Sequence, residues 1–146
     1  MTGERDPVGL ARFVDAQRDV YAQALAELRA GRKRSHWMWF VFPQIDGLGM
    51  SDMSRRYAIR DTAEARAYLA HPVLGARLVE CCEALLGVPD RSAHEILGSP
   101  DDLKLRSCAT LFAQVAPSGS AFHRVLERFF TGASDPRTLE RLRESG

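Results

Sequence analysis

This sequence predicts an all-α fold, and three observations carry the prediction. Apolar residues recur at spacings of three and four along most of the chain. Helix start and stop signals are dense. No stretch alternates apolar and polar residues for a convincing length, and no Asn-Gly or Asp-Gly hairpin turn lies between apolar runs. The expected architecture is a single compact multi-helix domain over residues 9–143, with about seven to nine helices, several of them short, and no substantial sheet. Residues 1–8 are expected to be disordered or extended.

The elements follow in chain order. Leu10, Phe13, Val14, Gln17, Tyr21, Ala24, Leu25 and Leu28 form one stripe of a long first helix, and Gly31 is placed to end it. Residues 37–42 form an apolar block. Residues 45–59 hold glycines and serines and read as a loop with at most one helical turn. Asp61 and Glu64 have the spacing of a capping box, opening a helix with Ala65, Tyr68 and Leu69 inward. His71-Pro72 ends that helix and starts the next, whose buried stripe is Leu74, Leu78, Cys81, Cys82 and Leu85. Ser92 and Glu95 form a second capping box for a short helix closed by Gly98. Ser99-Pro100-Asp101-Asp102 opens another helix, with two acids suited to its first turn and Leu105, Cys108, Ala109 and Phe112 inward. Phe122, Val125, Leu126, Phe129 and Phe130 make a stripe stopped by Gly132. Asp135-Pro136 starts a last helix through Leu139 and Leu142.

Composition narrows the function classes. At 146 residues the chain is one domain long, and 45% hydrophobic residues suffice for a core. Net charge is +1, so no global field draws nucleic acid or a membrane surface. The start of the chain carries acids and no apolar stretch, unlike a signal peptide. The longest apolar run is far short of the ~20 residues that span a bilayer. Three cysteines, Cys81, Cys82 and Cys108, make a poor disulfide framework, and a cytoplasmic protein with reduced thiols is expected.

The densest chemistry lies at residues 31–44. Arg32, Lys33 and Arg34 lead into Ser35 and His36, and both tryptophans follow at Trp37 and Trp39. Cations at a helix C-terminus stabilise it and are commonly solvated. The same cations can instead hold an anion, Arg32 or Arg34 forking a phosphate or carboxylate while Ser35 caps the next element and offers free N–H groups. Trp37, Phe40 and Phe42 read as core, whereas Trp39 and His36 could face a flat ligand. Gln17 and Gln44 read as hydrogen-bond anchors, Gln17 for backbone or for the segment after Gly31. Lys104, Ser107 and Leu111 share a helix flank open to solvent or to the aromatic block.

Other chemistry is missing from the sequence. The four histidines, His36, His71, His94 and His123, lack metal-site spacing, so no metal is expected. There is no nucleophile elbow and no P-loop. Gly47-Leu48-Gly49 lacks a third glycine and a preceding strand. No cofactor is expected.

The segments from Arg12 through Ser51, "YAIRDTAEARAYLAHPVLGARL", "ILGSPDDLKLRSCATLF" and "FHRVLERFFTG" resemble a bacterial family of single-domain helical proteins, domain-of-unknown-function family 1810. The resemblance runs from about Leu10 to Leu142, and the stretch from His36-Trp37-Met38-Trp39 to Pro43-Gln44 is its most specific part. It implies a mainly helical single domain and carries no catalytic residues. Some members bear the label calpastatin, an inhibitor type that is long and disordered, which this chain is not.

Two functional expectations follow. One is a binding or scaffold domain without catalysis, a monomer or small homo-oligomer. The other is a small-molecule enzyme or sensor with an anionic, nucleotide-like ligand in a pocket of Arg32, Arg34, Ser35, His36, Trp39 and Gln44. His36 would be its natural acid/base. An anionic small molecule is then the partner, with no nucleic acid and no membrane.

Overall fold

Helices and the turns between them account for most of residues 9–145, which the computed structural model describes; the segment at 1–8, expected to be disordered or extended, lies outside them. Ten helices occur among the described residues: α1 (Ala11–Gln17), α2 (Tyr21–Arg29), α3 (Met38–Val41), α4 (Asp52–Arg56), α5 (Thr62–Ala70), α6 (Leu74–Leu86), α7 (Ala93–Leu97), α8 (Asp101–Ala113), α9 (Ala121–Phe130) and α10 (Pro136–Ser145). The all-α expectation holds, and the helix count exceeds it.

Part of the excess comes from the first stripe, which is two helices rather than one. The apolar spacing runs on across residues 18–20, yet the chain turns there, with Val20 N–H donating to the Gln17 carbonyl at 3.1 Å. Packing makes the break: α1 lies on α3, and α2 lies on α6. Gln17 ends α1 with only 1% of its surface exposed. Its amide donates to the Phe40 carbonyl at 2.6 Å and to Tyr68 Oη at 3.3 Å, and accepts from Arg77 at 3.2 Å. This ties α1 to the segment after Gly31. A straight helix through Arg18, Asp19 and Val20 could not serve both neighbours, and aspartate and valine are weak helix formers.

α8 is the central element, packed against α5, α7, α9 and α10. Leu105, Cys108, Ala109 and Phe112 are buried on it, as the stripe predicts. α6 buries Leu74, Leu78, Cys81, Cys82 and Leu85, and all three cysteines are free thiols. The start of α6 lies so close to the end of α5 that a Cβ on Gly75 would overlap the Leu69 carbonyl, which only glycine avoids.

The start signals differ in how fully they close. Ser92 and Glu95 form a reciprocal capping box on α7. At α5, Asp61 caps the Glu64 N–H at 2.9 Å, but the Glu64 carboxylate turns away to Arg60 N–H at 2.8 Å and Arg12 at 2.9 Å. Residues 45–59 contain α4 and an isolated parallel bridge between Ile45 and Ile59. In that bridge Ile59 N–H donates to the Gln44 carbonyl, and Asp46 N–H to the Ile59 carbonyl, each at 2.8 Å. The bridge fixes the segment that carries Gln44.

Candidate functional site

The basic junction is built around a residue the sequence did not single out, Glu27. Gly31, with φ +77°, ends α2 in a Schellman motif: its N–H donates to the Leu28 carbonyl and Arg32 N–H to the Glu27 carbonyl, both at 3.0 Å. The turn folds residues 32–37 back over the Glu27 side chain, which is 7% exposed. Its carboxylate accepts five hydrogen bonds: from Arg34 N–H at 2.8 Å, Ser35 N–H at 3.1 Å, Ser35 Oγ at 2.7 Å, Trp37 Nε1 at 2.9 Å and Gln23 Nε2 at 3.0 Å. Burial alone would raise the Glu27 pKa. The hydrogen bonds, that of Arg34 foremost, outweigh burial and hold it at about 2, below the ordinary 4.5.

A charged chain links this loop to α8. Lys33 Nζ lies 3.0 Å from Asp101 Oδ2 and 5.1 Å from the Trp37 ring centre. Lys104 Nζ lies 3.5 Å from the other oxygen of Asp101 and 5.5 Å from the Trp39 ring centre. One carboxylate thus serves two lysines, each resting on a different tryptophan. Trp37 is fully buried, whereas Trp39 is half-buried.

Beyond Lys104 opens a cleft of about 480 Å³ between residues 44–49, the first half of α8 and the start of α10. Gln44, Lys104, Arg106 and Arg137 contribute its polar walls, and Leu48, Leu103, Pro100 and Pro136 its apolar ones. Asp135, also in the wall, is engaged: its Oδ2 accepts from Ser107 Oγ at 3.0 Å and from the Thr138 N–H and hydroxyl at 3.1 and 2.6 Å. Arg106 donates to the Ala133 and Ser134 carbonyls at 2.9 and 2.7 Å. Arg137 is exposed, and its side chain makes no hydrogen bond or ion pair among the described residues.

The family described as "Protein of unknown function (DUF1810)" matches residues 7–142. This chain belongs to that family. A solved structure of the same shape is the conserved hypothetical protein Rv1873 from Mycobacterium tuberculosis, a bacterial homologue with 51% sequence identity and a TM-score of 0.92. The likeness covers 94% of this chain and 99% of that one. No curated protein matches. Family membership fixes the helical fold and leaves the chemistry of the site to the residues themselves.

On this family fold the six residues singled out from the sequence part into three groups. Arg32, Arg34 and His36 are exposed along the turn, their side chains unpaired among the described residues. Ser35 is engaged by Glu27 through both its N–H and its hydroxyl. Gln44 lines the cleft, and Trp39 lies beneath its Lys104. None of Arg32, Arg34, Ser35 or His36 lines that cleft. Lys104 and Ser107 do line it, from the flank the helical spacing indicates, while Leu111 is buried. Glu27 and Arg137 went unnoticed in the sequence. The faint signal for Glu27 is its place four residues before Gly31, where a Schellman turn brings the following residues back over it. No helix among the described residues is long and apolar enough to cross a membrane.

Proposed function

We propose that this chain is a binding domain whose cleft between residues 44–49, α8 and α10 takes an anionic small molecule. One observation carries the reading: two cations with spare capacity face the same concave site. Arg137 has no internal partner among the described residues, and Lys104 shares its single carboxylate with Lys33. An incoming anion gains charge-assisted hydrogen bonds there without breaking a closed internal network. Gln44 adds an amide able to donate or accept. Three buried free thiols suit a binding protein of the cytoplasm.

The test is a thermal-shift titration with inorganic phosphate and nucleoside monophosphates, against sodium chloride at matched ionic strength. A ligand that binds the native state raises the midpoint by mass action. The midpoint is expected to rise with anion concentration, and to rise less for Arg137→Ala. A midpoint that follows ionic strength alone contradicts the reading.

A further inference from the structure

We infer that the ligand of this cleft is an amphipathic organic anion, one carboxylate or phosphate on an apolar body, and that Lys104 captures its head by exchanging Asp101 for it. The inference rests on the anion-binding reading and adds the body of the ligand and the residue that takes the charge.

The apolar body follows from the walls. Leu103 lies in the first turn of α8 and is 56% exposed, although large apolar side chains on this molecule are otherwise mostly buried. It shares the cleft with Leu48, Pro100 and Pro136. A bare inorganic anion would leave that apolar surface in water, whereas a compact hydrophobic group would cover it.

The exchange follows from the shared carboxylate. Asp101 is nearer to Lys33, at 3.0 Å, than to Lys104, at 3.5 Å. The Lys33 side chain is 9% exposed and closed in by Trp37, while the Lys104 side chain is 23% exposed at the cleft wall. When Lys104 turns to a ligand, Asp101 keeps Lys33, so this partly buried carboxylate is not left without a counter-charge. The same movement takes a cation off the face of Trp39 and changes the surroundings of that indole. Trp37 keeps its lysine and its bond to Glu27, so the optical change belongs to Trp39.

Calorimetry and tryptophan emission with four probes test this: phenyl phosphate, benzoate, inorganic phosphate and benzyl alcohol. The expected result is that phenyl phosphate or benzoate binds at least about tenfold more tightly than inorganic phosphate or benzyl alcohol, and shifts the emission. Which of the two aromatic anions binds more tightly identifies the head group. Lys104→Gln is expected to lose at least about tenfold in affinity for the aromatic anion, and Lys104→Arg to retain it. Trp39→Phe is expected to lose the emission change and keep calorimetric binding. Helical circular dichroism checks that each variant folds, and the wild-type and Trp39→Phe titrations decide the exchange if Lys104→Gln does not. Inorganic phosphate binding as tightly as phenyl phosphate overturns the inference and leaves the anion reading standing. So does unchanged affinity in folded Lys104→Gln, or an emission change that survives in Trp39→Phe. Benzyl alcohol binding as tightly as the anions, or no binding by any anion, overturns both.

Discussion

The turn at residues 31–37 and the cleft beside α8 both collect cations next to a tryptophan, yet their charges are balanced in opposite ways. In the turn, an internal carboxylate already occupies the anion position. Glu27 takes the N–H groups of Arg34 and Ser35, the Ser35 hydroxyl and the Trp37 indole, so these backbone and hydroxyl donors of the turn are engaged. The exposed Arg32 and Arg34 guanidiniums remain, outside the cleft that Gln44 lines. At the cleft wall, Lys104 has only a carboxylate it shares with Lys33 of the turn, and the Arg137 side chain has no partner among the described residues. A rich basic sequence therefore marks the closed region. The open one draws its charges from α8 and α10, some 70 to 100 residues further along the chain.

Variants that remove each region's key contact sharpen this contrast. The largest effect is expected at Trp37, which is fully buried under Lys33 and bonded to Glu27. Trp37→Ala should lower unfolding stability by about 3–5 kcal/mol in denaturant titrations. A loss within ~0.5 kcal/mol would show that the turn is not anchored through the indole.

Glu27→Gln comes next. The folded-state pKa of Glu27 lies below its ordinary value, so its contribution to stability is fully present above pH 4.5 and is lost as the pH falls through about 2. The gap corresponds to about 3 kcal/mol at neutral pH. Wild type and Glu27→Gln should therefore differ by roughly that amount at pH 7 and converge on acidification. A difference independent of pH would contradict the ionised-anchor account.

Smaller effects on stability are expected in the cleft. Arg137→Ala should leave unfolding within ~0.5 kcal/mol of wild type while weakening phenyl phosphate by about tenfold in calorimetry. Unchanged affinity would remove Arg137 from the site. The smallest effect is expected for Arg34→Ala. Its side chain is exposed outside the cleft, and its backbone, not its guanidinium, binds Glu27. Stability within ~0.5 kcal/mol and affinity within about twofold are expected, and a larger loss in affinity would bring the turn back into the site.

The fold was legible because helical periodicity and caps are local signals. The stripes on α6 and α8 mark residues that are buried, that on α9 holds for Phe122, Val125 and Leu126 while Phe129 and Phe130 are only partly buried, and Ser92 with Glu95 closes as its spacing indicates. The break between α1 and α2 was not legible, since periodicity continues through residues 18–20 and the cause is tertiary: the pull of Phe40 and Arg77 on Gln17. The same limit applies to the site. Trp39 could be singled out because an aromatic beside a cation cluster is conspicuous in sequence, and Gln44 because it follows the apolar block; Gln44 lines the cleft and Trp39 lies under Lys104. Glu27 could not, because its partners depend on a Schellman turn returning the chain over it. Lys104 could be placed on a flank, but its sharing of Asp101 with Lys33 joins residues 68 and 71 positions apart and needs the packed fold.

The contrast between the closed turn and the open cleft is tested most directly by backbone amide chemical shifts during a titration with phenyl phosphate. The account predicts saturable shifts at residues 44–49, 103–107 and 135–137, with the Arg34 and Ser35 amides unmoved because Glu27 holds them. Saturable shifts centred on Arg34 and Ser35, with the cleft residues still, would contradict it.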